Sequence, residues 1–94
     1  MTEGGSSDEA LRIDRWLWYA RLCKSRAVAQ TRAESGRIYL NGQRVAKSAA
    51  RIRIGDIVTL TVGRDVVALR VVKLGTRRGP VPEARTLYEV VEDT

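Results

Sequence analysis

Asn41-Gly42 stands between Arg37-Ile38-Tyr39-Leu40 and Gln43-Arg44-Val45, segments in which polar and apolar side chains alternate. A two-residue type I′ turn needs positive φ at both central positions, and Asn followed by Gly accepts this more readily than almost any other pair, so the dipeptide predicts a hairpin. The turn sets the register. Leu40 then opposes Gln43, Tyr39 opposes Arg44 and Ile38 opposes Val45, which sends Ile38 and Val45 inward and leaves Tyr39 and Arg44 on a shared outer face.

Upstream, Ile13, Trp16, Leu17 and Ala20 recur at i, i+3, i+4 and i+7 and predict one helical stripe facing a core, on a helix of about ten residues starting near Arg12. Cys23-Lys24-Ser25-Arg26 interrupts that pattern. Ser25 is suited to cap a second helix running to about Ser35, and Gly36 is suited to end it. Downstream, Arg51-Ile52-Arg53-Ile54 alternates and Gly55-Asp56 turns. Ile57 to Val62 and Val66 to Val72 then form two β-branched runs separated by Gly63-Arg64-Asp65. Gly75 to Pro82 is expected to be loop, and Thr86 to Val91 a last edge strand or a short helix. The expected fold class is α+β, with two short helices packed on a small, mostly antiparallel sheet. Residues 1–11, with three acids and little to bury, are expected to form a disordered leader. Residues 12–74 are expected to form the domain, and residues 75–94 a loop and C-terminal segment packing on the sheet.

Ninety-four residues suffice for one domain and leave no room for a second, catalytic one. Histidine is absent, which removes the commonest acid-base side chain and metal ligand. The single cysteine, Cys23, excludes an internal disulfide and a cysteine metal cluster, and it reads as a small buried apolar residue. No cofactor-binding glycine loop occurs, and Asp56 and Asp65 sit in separate turns. No catalytic residue, metal or cofactor is therefore expected. No apolar run reaches the roughly 18 residues of a membrane helix, and the acidic start is unlike an export signal. A cytoplasmic monomer without membrane contact is the expectation.

Charge is distributed unevenly. Residues 12–54 hold eleven basic side chains against Asp14 and Glu34, a local charge of +9, whereas the rest holds six basic and nine acidic groups, or −3. Nine uncompensated charges oppose folding by self-repulsion, so a polyanion that accepts them is the better account. Arg15 and Trp18 fall on the side of the first helix opposite Trp16 and Leu17, where Trp18 could stack on a base or be covered by the C-terminal segment, the second being favoured for a large aromatic. Arg26 and Gln30 are i, i+4 neighbours at the start of the second helix. On the hairpin, Arg37, Tyr39 and Asn41 share one face, where Arg44 could stack on Tyr39 or Tyr39 could stack on a base.

Taken in order, Arg12-Ile13-Asp14-Arg15 with Leu17, Lys24-Ser25-Arg26, Ala29, Gly36-Arg37-Ile38, Asn41-Gly42 and Gly55-Asp56 resemble the S4-type RNA-binding domain. In that domain, with its αL motif, two helices and a hairpin form one RNA-facing surface. Trp16-Leu17-Trp18 and Leu87-Tyr88-Glu89 are further similar to the heat-shock protein 15 family and its relatives in ribosome quality control. The resemblance implies a stress-associated protein that binds ribosomal RNA and peptidyl-tRNA on a stalled large ribosomal subunit. It implies Arg12, Arg15, Lys24, Arg26 and Arg37 as phosphate ligands, with Ser25, Gln30, Tyr39, Asn41, Arg44 and Lys47 as polar or stacking contacts. Asp14 is expected to pair with a neighbouring arginine rather than touch RNA, and Arg26 and Arg37 to matter for RNA alone and not for stability. Two departures stand out. Arg32 occupies a usually apolar helix position, and longer members carry a basic helical tail where this chain ends at Thr94, as a shorter quality-control member or a shortened chain would.

Two other readings compete. The same domain is appended to RNA-modifying enzymes such as pseudouridine synthases and methyltransferases, which need a catalytic domain. A DNA-binding helix-turn-helix also has two short helices, but the basic hairpin extends the charged face beyond one helix and suits irregular RNA better.

Overall fold

The computed structural model describes residues 9–91. Residues 1–8 of the expected leader, 1–11, lie outside them, and Leu11 at its end is part of a strand. In chain order the elements are β1 (Leu11–Arg12), α1 (Ile13–Tyr19), α2 (Arg26–Glu34), β2 (Tyr39–Leu40), β3 (Gln43–Arg44), β4 (Arg51–Ile52), β5 (Ile57–Val62), β6 (Asp65–Val71), α3 (Val81–Ala84), a 3-10 turn (Arg85–Leu87) and β7 (Tyr88–Val90). Five strands form an antiparallel sheet in the order β3-β2-β5-β6-β7, and β1 pairs with β4 in a separate two-stranded ribbon. This is the expected α+β architecture with one helical turn more.

The hairpin has the register that its turn dictates, with Tyr39 opposite Arg44 and Leu40 opposite Gln43. Asn41 and Gly42 take φ of 51° and 86°. Ile38 and Val45 are buried, and the Val45 amide donates to the Ile38 carbonyl at 2.9 Å. The apolar stripe of α1 is also realised, since Ile13, Trp16, Leu17 and Ala20 are all buried. With Ala29 and Ala33 of α2 they cover one face of the sheet, against Ile38, Val45, Val58, Leu60, Leu69, Val71 and Leu87.

Helix α1 spans seven residues, fewer than its periodicity suggests, because both ends are set by tertiary partners. At its start Arg12 supplies no side-chain cap. Instead, the Ile13 amide donates to the Ala50 carbonyl at 2.7 Å and the Asp14 amide to the Ser48 carbonyl at 3.3 Å, so the segment after the hairpin satisfies the first orphan donors. At its end Arg21 takes φ of 61°. The Arg21 amide reaches Trp18 O at 3.1 Å and the Leu22 amide reaches Leu17 O at 3.0 Å, which together make a Schellman motif with arginine where glycine is usual. A left-handed arginine costs about 1–2 kcal/mol. The Arg21 Nε bond to the Gly79 carbonyl at 2.7 Å helps offset that cost.

Helix α2 follows its local signals more closely. Ser25 Oγ accepts from the Val28 amide at 3.1 Å, and Gly36 leaves the helix at φ of 81°. The alternation at 51–54 yields only the two residues of β4, because β4 pairs with β1 and the chain then turns through Gly55 to start β5. Within the expected loop at 75–82, residues Val81–Ala84 form α3, which starts after Pro80 and includes Pro82, whose fixed φ suits a first helical turn. The 86–91 segment supplies an edge strand after a 3-10 turn. Among the described residues no helix is long and apolar enough to cross a membrane.

Candidate nucleic-acid interface

The centre of the basic region is an acid. Asp14, on the first turn of α1, is fully buried, and Arg12 grips its two carboxylate oxygens with Nε at 3.1 Å and Nη2 at 2.9 Å. Arg26, on the first turn of α2, approaches the same carboxylate with Nη2 at 3.7 Å. Burial alone would push the Asp14 carboxyl up, but hydrogen bonds from Arg12 and Gln30, the Arg12 charge and the Arg15 amide together hold it below the usual carboxylate range. The expected arginine partner for Asp14 is thus present. Both arginine side chains remain partly accessible, Arg12 at 39% and Arg26 at 36%. Asp14 therefore orients two arginines that face solvent. Arg26 Nε is buried with no hydrogen-bond partner among the described residues, an unsatisfied donor that costs the fold roughly 1–3 kcal/mol.

Lys24 is exposed and Ser25 half-buried beside this pair, at the entry to α2. Ser25 is occupied as the helix cap. Arg15 is half-buried on α1. Arg12, Lys24, Ser25, Arg26 and Gln30 therefore belong to one group, arranged about the paired starts of α1 and α2. Lys47 is exposed on the segment whose Ser48 and Ala50 carbonyls hold the start of α1, so it links this group to the hairpin.

On the hairpin Tyr39 and Arg44 share the outer face as the register requires, and both are exposed. A cation–π pair between them is not formed. The Arg44 side chain lies instead across Gly36, where an added Cβ would meet Arg44 Cδ at 3.4 Å, and the cation–π contact among the described residues is Arg78 over Trp18, 5.6 Å from the ring centroid. Gly36 thus serves both the helix exit and the seat of Arg44.

Asn41 serves the turn, as its dipeptide requires, and more besides. Its Oδ1 accepts from the Ile57 amide at 2.9 Å and its Nδ2 donates to Asp56 at 3.2 Å, so both ends of the amide brace the turn against β5. A side chain so occupied is a structural tie first.

Two arginines outside the expected set take part. Arg32 projects to the sheet side of α2 and donates Nη1 to the Thr61 carbonyl at 3.0 Å. A helical wheel could have placed it there, since Arg32 flanks the buried Ala29 and Ala33 on the side away from Arg26. Arg78 donates to the carbonyls of Trp18 and Cys23 and covers the Trp18 ring, which confirms that the C-terminal segment covers Trp18. No short-range pattern marks Arg78. Cys23 is buried, and burial holds its thiol above the usual range against the charges of Arg32 and Arg78, as suits an inert core residue.

Comparison with known proteins bears directly on these elements. Residues 11–58, from β1 into β5, match the S4 domain family. The chain is 33% identical over 88 residues to the heat shock protein 15 homolog of Haemophilus influenzae, covering 94% of this chain and 66% of that protein. With heat shock protein 15 of Escherichia coli strain K12 the identity is 38% over 79 residues, covering 84% of this chain and 59% of the relative. The chain therefore spans about three fifths to two thirds of these relatives. It is also 36% identical over 85 residues to the RQC P-site tRNA stabilizing factor of Halalkalibacterium halodurans, covering 88% of this chain and 92% of that one. The trimeric Vibrio cholerae heat shock protein 15 structure matches with a TM-score of 0.82 at 37% identity, over 88% of this chain and 83% of that one. The paired helix starts, the hairpin and the turn into β5 all lie in the matched segment, and on that match and those identities this chain belongs to the S4 domain family.

Proposed function

We propose that this protein binds RNA on the large ribosomal subunit holding a stalled peptidyl-tRNA, and that it steadies the tRNA while the subunit is rescued. The observation that carries this reading is the pair of arginines, Arg12 and Arg26, that close on buried Asp14 while their side chains stay partly exposed. Guanidiniums held in fixed orientation suit phosphate oxygens and lose little side-chain freedom on binding. Arg12, Arg15, Lys24, Arg26 and Arg37 act as phosphate ligands, and Ser25, Gln30, Tyr39, Arg44 and Lys47 as neighbouring contacts. The names of the relatives, heat shock protein 15 and a P-site tRNA stabilizing factor, support the ribosomal setting.

A helix-turn-helix reading is less well served. The outward positions of α2 are Ala27, Thr31 and Glu34, a stripe without a basic side chain that would enter a major groove poorly.

The test is sedimentation of the tagged protein from heat-stressed cells through a sucrose gradient. Co-migration with large subunits bearing peptidyl-tRNA is expected, and migration with free RNA alone or with duplex DNA would overturn the reading.

A further inference from the structure

Arg32 and Arg37 line a cleft of about 400 Å³ between the C-terminal turn of α2 and the β5–β6 turn. Thr31, Ser35, Ile38, Thr61 and Gly63 complete it, and no carboxylate contributes to its walls. Two guanidiniums and no acid around one concave site is an arrangement that repels itself unless an anion enters. The last carbonyls of α2 add only the partial negative charge of a helix end, about half a unit, against two full positive charges. Part of that partial charge is already taken up, because the Ser35 amide and hydroxyl both donate to Arg32 O.

Arg32 is also held in place. One of its five N–H donors goes to the Thr61 carbonyl, which anchors the side chain across the cleft and leaves four donors for another acceptor. A guanidinium fixed before binding loses less rotamer freedom than a free one. Arg37 lines the same cleft and belongs to the arginine set of the proposed RNA face, so the cleft continues that face around the end of α2.

We propose that the cleft is a phosphate-binding subsite, in which Arg32 and Arg37 take one phosphate group of the bound RNA strand. This rests on the RNA-binding reading above and extends it to the sheet side of α2. The path of the strand then runs from the Asp14-centred pair over Arg37 into the cleft.

The test compares the parent with Arg32→Gln and Thr31→Glu in binding to a labelled hairpin of large-subunit ribosomal RNA, titrated at several KCl concentrations. Thr31 is exposed on α2, so the glutamate brings a carboxylate to the cleft without removing any arginine contact, and thermal melts check that both variants fold. Arg32→Gln is expected to lower the slope of log K against log salt by about one, with Thr31→Glu weakening binding in the same direction. A parallel arm follows the amide resonances of Thr31, Ser35 and Gly63 during addition of the RNA or of inorganic phosphate. Shifts with RNA that Arg32→Gln abolishes support the subsite. Slopes equal to the parent's in both variants overturn it, and so do shifts produced by inorganic phosphate beside unchanged RNA binding. Loss of RNA binding by the parent itself overturns the functional reading instead, and that outcome is seen before any variant is measured.

Discussion

The guanidinium of Arg78 donates to the carbonyl oxygens of both Trp18, at 2.7 Å, and Cys23, at 3.0 Å, and so clasps the connection between the two helices from a point far along the chain. That connection carries Lys24 and Ser25 and leads directly into Arg26. A residue beyond the matched S4 segment thereby helps to position part of the basic face.

Arg78→Ala is expected to destabilise the fold by about 2 kcal/mol, since it leaves two partly buried carbonyls without a charged donor and uncovers Trp18. Urea denaturation measures this. RNA affinity should fall while the salt slope stays at the parent value, because Arg78 steadies the ligands without meeting a phosphate. A slope lower by one unit would make Arg78 a ligand.

Arg37→Ala should reduce the salt slope by about one and change stability by less than about 0.5 kcal/mol, as Arg37 is exposed and makes no hydrogen bond or ion pair among the described residues. Arg26→Ala should reduce the slope equally but also destabilise the protein, by about 1–2 kcal/mol, because it withdraws a partner from buried Asp14. That contact argues against the sequence-based expectation that Arg26 matters for RNA alone. Equal stability of the two variants would refute the distinction.

Acid should act through Asp14. Its folded carboxyl titrates below its ordinary value, so it contributes stability above about pH 4 that is lost as the pH falls through the lower folded value. The loss on acidification, followed by urea titration at successive pH values, should be smaller in Asp14→Asn, which lacks the titrating group and is less stable near neutrality. Glu83 is lowered in the same direction by its pair with Arg77, but that pair lies at the surface and contributes little.

Asn41→Ala is expected to cost about 2 kcal/mol, from two lost side-chain bonds and from an alanine forced to positive φ. Asn41→Asp should cost less, since it keeps the acceptor for the Ile57 amide but sets a carboxylate against Asp56. Chemical denaturation of both variants checks the order.

These contacts also mark how far the sequence could be read. The Ser25 cap, the Gly36 exit and the positive φ of Asn41-Gly42 are local, so the second helix and the hairpin register were legible from local chemistry, whereas the side-chain bonds of Asn41 to Ile57 and Asp56 were not. The burial of Ile13, Trp16 and Leu17 followed from their spacing. The start of α1 was legible to within a residue, but its early end and its partners Ala50, Ser48 and Gly79 were not, because no propensity of residues 12–22 reports them. The same holds for the site. The composition placed the positive charge, and the motif placed Arg12 and Arg26, but the closure of Arg12 and Arg26 on one carboxylate, the Arg32–Thr61 bond and the seat of Arg44 over Gly36 exist only once the chain has folded.

Trp16 illustrates what this long-range closure means for a chain made from its N-terminus. Its ring is fully buried, with Nε1 bound to the Lys73 carbonyl at 3.0 Å and Tyr88 edge-on at 6.4 Å. Proteins are synthesised at about 5–20 residues per second, and contacts of such sequence separation form late. During translation the Trp16 ring therefore lacks its last partners until Lys73 and Tyr88 have been made, whereas the residues that close on Asp14 all lie in the first third of the chain.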